Sequence, residues 1–138
     1  MKNTRAKSFV TIMLVIAFLA VLLRIAIDRI IESSITQNES SAQETLKLVS
    51  AGLESFARDN RGLYPTDFSS LTKPQPAYLY KDYAKQFSLK GYNYDCPRLE
   101  QSGYSCQAQP VKCRLTGRNV FTITTGSILV GQECSNKE

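Results

Sequence analysis

The chain has 138 residues, enough for one domain and, once an anchor is subtracted, a head of roughly 80 residues. It contains four cysteines, no histidine and no tryptophan, so it has no histidine base for catalysis and no histidine ligand for a metal. The net charge of +5 is partly supplied by Lys2, Arg5 and Lys7 at the extreme N-terminus, and the remainder is too modest to imply nucleic-acid binding by charge alone.

Residues 9–23 read FVTIMLVIAFLAVLL, with Thr11 as the only polar member. That run falls short of the roughly 20 apolar residues needed to cross a bilayer. Ile25, Ala26 and Ile27 complete the span if Arg24 snorkels its guanidinium to the headgroups. Asp28 stands four residues after Arg24, on the same helical face, where the two charges can pair. The basic cluster before the span holds the N-terminus in the cytoplasm and places the rest of the chain outside. A cleaved secretory signal has a similar start, but LRIAIDRIIESS lacks a small-x-small cleavage pattern. A retained anchor is the better reading.

Neither proline nor glycine occurs before Gly52, so the anchor is expected to continue outward as one helix of about 50 residues, roughly 75 Å long. Ile35, Ala42, Leu46, Val49, Leu53, Phe56 and Ala57 recur at helical steps and mark a core face. Gln43, Glu44, Lys47, Ser50, Glu54 and Arg58 are expected on the opposite, solvated face, with Glu54 and Arg58 as an i,i+4 pair. The polar stretch SSITQNESS, residues 33–41, is expected to emerge between membrane and head, where the helix can bend. Asn60 and Gly62 are the expected left-handed caps, and Thr66 is expected to cap a short turn over residues 67–71.

The last fifty residues change period from 3.6 to 2. GYNYDC and YSCQAQ alternate, and facing Cys96 with Cys106 sets Tyr94 opposite Ala108. Asn93, Asp95, Ser105 and Gln107 then share the polar face. A second hairpin, VFTITTGSILV, is expected to turn at Thr125–Gly126 and to pair Phe121 with Val130 and Ile123 with Ile128. The fold class expected is α+β: a long N-terminal transmembrane helix packed on a small four-stranded antiparallel sheet. Cys96, Cys106, Cys113 and Cys134 read as two disulfides outside the membrane, because no C-x2-C spacing suggests a metal. The hairpin register favours Cys96–Cys106 with Cys113–Cys134, and the other two pairings remain open on sequence.

A basic leader, Phe9 opening an apolar run, an unbroken helix and then DNRGLYPTDFSSL together resemble the type IV pilins and the pseudopilins of type II secretion. The C-terminal GYSCQAQPVKCRLTGRNVFTITTGSILVGQEC is similar to the heads of small pilin-like proteins. The resemblance covers nearly the whole chain, through the order of its pieces. It implies a pilin-like fold, residues 1–8 as a cytoplasmic leader, 9–31 as the membrane helix, 32–60 as its external continuation and 61–138 as the head. It also implies a processing site at Ser8 and Phe9, an assembly helix that includes Phe9, Met13, Arg24 and Asp28, and partners among other pilin-like subunits, the inner membrane and prepilin peptidase. Three positions depart from the family's pattern. Ser8 stands where glycine usually precedes the cut, Met13 where a glutamate usually neutralises a neighbour's new amino terminus, and Ile30 near the usual helix-breaking proline.

The function expected is structural: a non-enzymatic subunit, without cofactor or metal, of a pilus, a secretion pseudopilus or a priming complex. Its location would be the bacterial inner membrane with a periplasmic head, or an extracellular filament. The competing expectation is an anchored binding module in which Lys73, Lys81, Lys85, Lys90, Arg98, Lys112, Arg114 and Arg118 contact DNA. A solvated basic surface is the favoured reading of those residues.

Overall fold

The computed structural model describes residues 4–83 and 87–135. The elements are helices α1 (Thr4–Asp59) and α2 (Ser69–Thr72) and strands β1 (Phe87–Leu89), β2 (Tyr92–Glu100), β3 (Gly103–Pro110), β4 (Asn119–Thr124) and β5 (Ile128–Glu133). The chain divides into two units, Met1–Ser34 and Ile35–Glu138. The first consists of the apolar N-terminal part of α1. The second is an α+β head, in which the C-terminal part of α1 packs on an antiparallel sheet of order β1-β2-β3-β4-β5.

The sheet has five strands, not four. The additional strand is β1, whose Leu89 pairs with Tyr92 across the two-residue turn Lys90–Gly91. Both turn residues take positive φ, 47° and 75°, as a tight hairpin with native twist requires. Lysine is a rare occupant of that conformation, so the turn carries only half of the usual Asn-Gly signature.

The helix stripe is buried as expected: Ile35, Ala42, Leu46, Val49, Leu53 and Ala57 are covered, with Phe56 partly so. Leu46, Val49 and Leu53 meet Tyr92, Tyr94, Tyr104, Ala108 and Ile123 in one core with Phe68, Leu71 and Leu79. Each such fully buried aliphatic side chain contributes about 1.5–3 kcal/mol. Residues 33–41 are helical throughout, and from Ile35 onward they belong to the second unit.

Of the two expected left-handed caps, Gly62 takes positive φ (82°) and Asn60 does not. Arg61 (φ 59°) precedes Gly62 in that conformation, and the Gly62 N–H returns to the Ala57 carbonyl at 2.7 Å, closing a Schellman motif. Asn60 supports it through Nδ2, which donates to the Phe56 carbonyl at 2.9 Å. Phe68, not Thr66, precedes the short helix α2.

Tyr94 does face Ala108, and Cys96 is bonded to Cys106 beside it. The register then slips between Asp95 and Arg98, where Pro97 stands, since a residue without an N–H fits a bulge better than a regular ladder. In the β4–β5 hairpin the expected pairing is wrong by one residue. The loop is three residues long, Thr125–Gly126–Ser127, so Phe121 faces Gly131, Ile123 faces Leu129 and Thr122 faces Val130. A one-residue shift exchanges the faces of the whole strand. Leu129 therefore joins the core, while Ile128 (60% exposed) and Val130 (51%) lie on the outer face. The second disulfide, Cys113–Cys134, ties the β3–β4 connection to the end of β5.

Gly117 lies where a Cβ would come within 2.0 Å of the Tyr92 hydroxyl. That hydroxyl donates to the Asn119 carbonyl at 2.8 Å, and Tyr92 is fully buried, so it has nowhere to retreat. Gly117→Ala is expected to destabilise the head by about 1–3 kcal/mol. Urea unfolding of the detergent-solubilised chain, followed by near-UV dichroism, measures this; an unchanged midpoint contradicts the packing described.

Candidate assembly surface

In the N-terminal unit the helix presents apolar side chains on every side. Phe9, Met13, Leu14, Phe18, Leu23 and Ile30 are each more than half exposed, and Ser8 is exposed as well. The helix is long and apolar enough to cross a membrane. An apolar surface of this extent, uncovered by any part of its own chain, calls for a lipid or protein neighbour. Arg24 and Asp28 are both exposed within it, and no ion pair joins them among the described residues. Such charges are costly in hydrocarbon unless headgroups or a neighbouring group answer them.

In the head, two carboxylates on α1 organise the sheet. Glu54 was expected on the solvated face beside Arg58, but its oxygens turn inward. Oε1 accepts from the Tyr104 hydroxyl (3.0 Å) and the Gly126 N–H (2.8 Å), and Oε2 accepts from the Tyr64 hydroxyl (3.0 Å). Ser50, also expected outside, is 1% exposed. Its Oγ lies 2.8 Å from the Tyr104 hydroxyl and 2.6 Å from the Ser127 hydroxyl. Because Tyr104 has a single proton and gives it to Glu54, the chain of donors runs from Ser127 to Ser50 to Tyr104 to the carboxylate. Glu39 does the same work lower on the helix. Its Oε1 accepts from the Arg118 N–H (2.7 Å), the Asn119 N–H (3.2 Å) and the Asn119 side-chain amide (3.2 Å).

These surroundings hold the phenols in their neutral form. Burial, then the hydrogen bond and charge of Glu54, pushes the Tyr64 hydroxyl up to about 12. Burial is also the main cause at Tyr104, reinforced by Glu54 and opposed by Ser50. At Tyr92 burial and the charge of Glu39 act in the same direction.

The remaining expected site residues are dispersed. The four cysteines form their two disulfides. Arg98 pairs with Glu100 at 3.4 Å, while Lys90 reaches the Ser41 hydroxyl at 3.3 Å. Lys112, Arg114 and Arg118 share the β3–β4 connection, and Lys73 follows α2. Lys2 and Lys85 lie outside the described residues, as do the side chains of Arg5 and Lys7. Among the described residues no group of three His, Cys, Asp or Glu side chains is arranged to hold a metal. The outer face of the sheet carries shallow polar hollows, such as one of about 360 Å³ lined by Ser88, Asn93, Asp95, Gln107 and Gln109. Ser50 and Glu54 were missed as functional partners because polarity alone assigned them to solvent. Their signal was position, since both flank the Leu46–Leu53 stripe at i+4 steps.

The sequence matches no family model, and no curated protein matches it.

Glu54→Ala is expected to lower head stability by about 2–3 kcal/mol, because two hydroxyls and one N–H lose a charged acceptor. Glu44→Ala, on the exposed face, is expected to change it by less than about 0.5 kcal/mol, and urea midpoints compare the two. The Tyr64 phenol has its folded-state value raised from 10.0 to about 12, so its contribution is complete below pH 10 and drains away as the pH climbs toward 12. Melting temperature is expected to fall across that window. Tyr64→Phe should make the fall shallower, leaving a residual slope from Tyr92 and Tyr104; an identical slope in the variant rules out this origin.

Proposed function

We propose that this chain is a pilin-like or pseudopilin structural subunit, anchored in the bacterial inner membrane by residues 9–31, with a cytoplasmic N-terminus and a periplasmic head. The observation that carries the reading is the combination in one helix of a fully exposed apolar stretch and the stripe that nucleates a disulfide-bonded α+β head. Such a helix serves two environments: lipid or neighbouring helices along its first half, and its own sheet along its second. The order of sequence pieces shared with pilins and pseudopilins supports the same reading. The subunit would enter a pilus, a secretion pseudopilus or a priming complex by lateral packing of its apolar helix against similar helices.

Arg24 and Asp28 fit that role. Unpaired within the helix, each can answer the opposite charge on a neighbour, fixing the relative register of adjacent subunits. Ser8 and Met13 point to a chain that keeps its leader. Met13 offers no carboxylate to a newly formed amine at Phe9, and an uncleaved chain needs none.

Leu14→Cys in otherwise native membranes is expected to give cross-linked species on oxidation, with the chain itself or with similar subunits. Arg24→Glu should reduce their yield, and adding Asp28→Arg should restore it. A chain that stays monomeric and uncross-linked in the membrane overturns the assembly reading. Intact-mass measurement is expected to show a leader still attached, and a mature terminus at Phe9 overturns the uncleaved version.

A further inference from the structure

The connection between β3 and β4, residues 111–118, reads VKCRLTGR: three basic side chains, no acidic one and two apolar ones. Lys112, Arg114 and Arg118 are exposed, and so are Val111 and Leu115, the latter at 57%. The apolar pair did not collapse inward because the loop is pinned from several sides. Cys113 is bonded to Cys134, the Arg114 N–H donates to the Gly117 carbonyl at 2.7 Å, and the Thr116 hydroxyl donates to the Lys112 carbonyl at 3.1 Å. The loop is therefore held in one shape with its basic and apolar side chains outward.

Its place in the head is equally defined. The Asn38 side chain donates to the Thr116 carbonyl at 2.9 Å, and Glu39 accepts from the N–H groups of Arg118 and Asn119. The Val111 N–H donates to the Gly91 carbonyl at 2.9 Å, which brings in the Lys90–Gly91 turn, whose lysine reaches Ser41. The loop that carries Lys112, Arg114 and Arg118 and the turn that carries Lys90 are thus held against helix residues 38–41, the first turns of the head's own part of α1. This is the end at which the chain enters the head. Asn38 follows Ile31, the last residue of the apolar stretch, by seven positions, and seven residues span at most about 25 Å whatever path they take. The basic end of the head is tethered to the spanning segment on a short leash.

We propose that this loop is a membrane-docking surface: Lys112, Arg114, Arg118 and Lys90 engage anionic phospholipid headgroups, while Val111 and Leu115 enter the interface between them. The inference rests on the anchored reading above and adds to it a second contact with the bilayer. The chemistry matches on both counts. Guanidinium groups meet phosphate through paired N–H donors, and an apolar side chain flanked by cations is the usual composition of a segment lying at the headgroup level. Arg114 and Arg118 line a cleft of about 300 Å³ in company with Glu133 and Cys134. Glu133 is the acidic side chain in that lining, and Glu39 is already committed to the loop's backbone. Such docking would orient the head on the membrane before assembly, and extraction into a filament would have to break it.

The absence of tryptophan makes the test direct. Leu115→Trp supplies a single reporter on the loop. Leu63→Trp supplies a control on an exposed residue just past the C-terminal end of α1. The full chain, reconstituted in vesicles of phosphatidylcholine alone or with about one-third phosphatidylglycerol, is read by emission wavelength and by quenching with brominated acyl chains. The Leu115→Trp emission is expected to shift to the blue and be quenched with anionic lipid. The lipid dependence should be lost at about 1 M salt, where charges are screened within about 3 Å, and lost in the Lys112→Glu/Arg114→Glu background. The Leu63→Trp control is expected to stay water-like throughout. A water-like loop reporter in a chain that resists alkaline extraction overturns the docking surface and leaves the anchor standing. Extraction of the chain by alkali overturns both. Equal responses from the two reporters show unspecific adsorption and overturn the proposal. A response to short duplex DNA but not to anionic vesicles also overturns it, in favour of a nucleic-acid surface.

Discussion

A helix rises about 1.5 Å per residue and a strand about 3.3 Å, so the two can be clamped together at two points only if their residue counts differ by about that ratio. The head meets this constraint with Glu39 and Glu54. The fifteen helix positions separating them correspond to about 22 Å, and the seven positions from Asn119 to Gly126 correspond to about 23 Å. Glu39 accepts the N–H groups that open β4, and Glu54 accepts the N–H of the loop that closes it. Between these two carboxylates the apolar stripe from Ala42 to Leu53 meets the inner face of the sheet at full length. A hydrophobic stripe alone would tolerate sliding along the helix. The charged acceptors at each end do not, because a displaced carboxylate would leave the hydroxyl of buried Tyr104 and the N–H groups at both ends of β4 without their charged acceptor.

The tyrosines follow from the same arrangement. Tyr92 and Tyr104 fill the core with large rings and still need outlets for their hydroxyls. Tyr104 finds Ser50 and Glu54, and Tyr92 finds the Asn119 carbonyl beside the Glu39 clamp. Tyr64 packs edge-on against Tyr104 with ring centres 5.3 Å apart and shares the Glu54 carboxylate. A head this small gains further from its two disulfides, one inside the β2–β3 hairpin and one tying the β3–β4 connection to the end of β5. Each contributes about 3 kcal/mol on a chain-entropy account.

The two halves of α1 impose opposite demands on one element. Residues 9–31 expose apolar surface all round, whereas the head's portion hides a single stripe and shows water its polar face. Under the proposed role this division keeps the packing that joins subunits from competing with the packing that folds each one. The outer face of the sheet is mostly polar, with Ile128 and Val130 as the exceptions on its edge strand β5.

The long helix, its core stripe, the alternation around Cys96 and Cys106 and the pairing of Tyr94 with Ala108 were all legible in the sequence. Each depends on periodicity or on neighbours in the same hairpin. What went unread depended on one local geometry or on a distant partner. Lys90 in a left-handed turn concealed β1, because side-chain identity there argues against the conformation that the strands impose. A third loop residue, Ser127 at φ 60°, turned Ile128 and Val130 outward, and no count of apolar residues distinguishes a two-residue from a three-residue loop around Thr125–Gly126. Ser50 and Glu54 read as solvated because their partners, Tyr104, Gly126 and Ser127, lie fifty or more residues away. The sequence by itself determined that the chain has one helix able to span a membrane and an α+β head, because hydrophobic periodicity is a local property. Tertiary structure alone decided which polar residues face the core, which apolar ones face water and where the basic loop sits, because those depend on register and on contacts between distant residues.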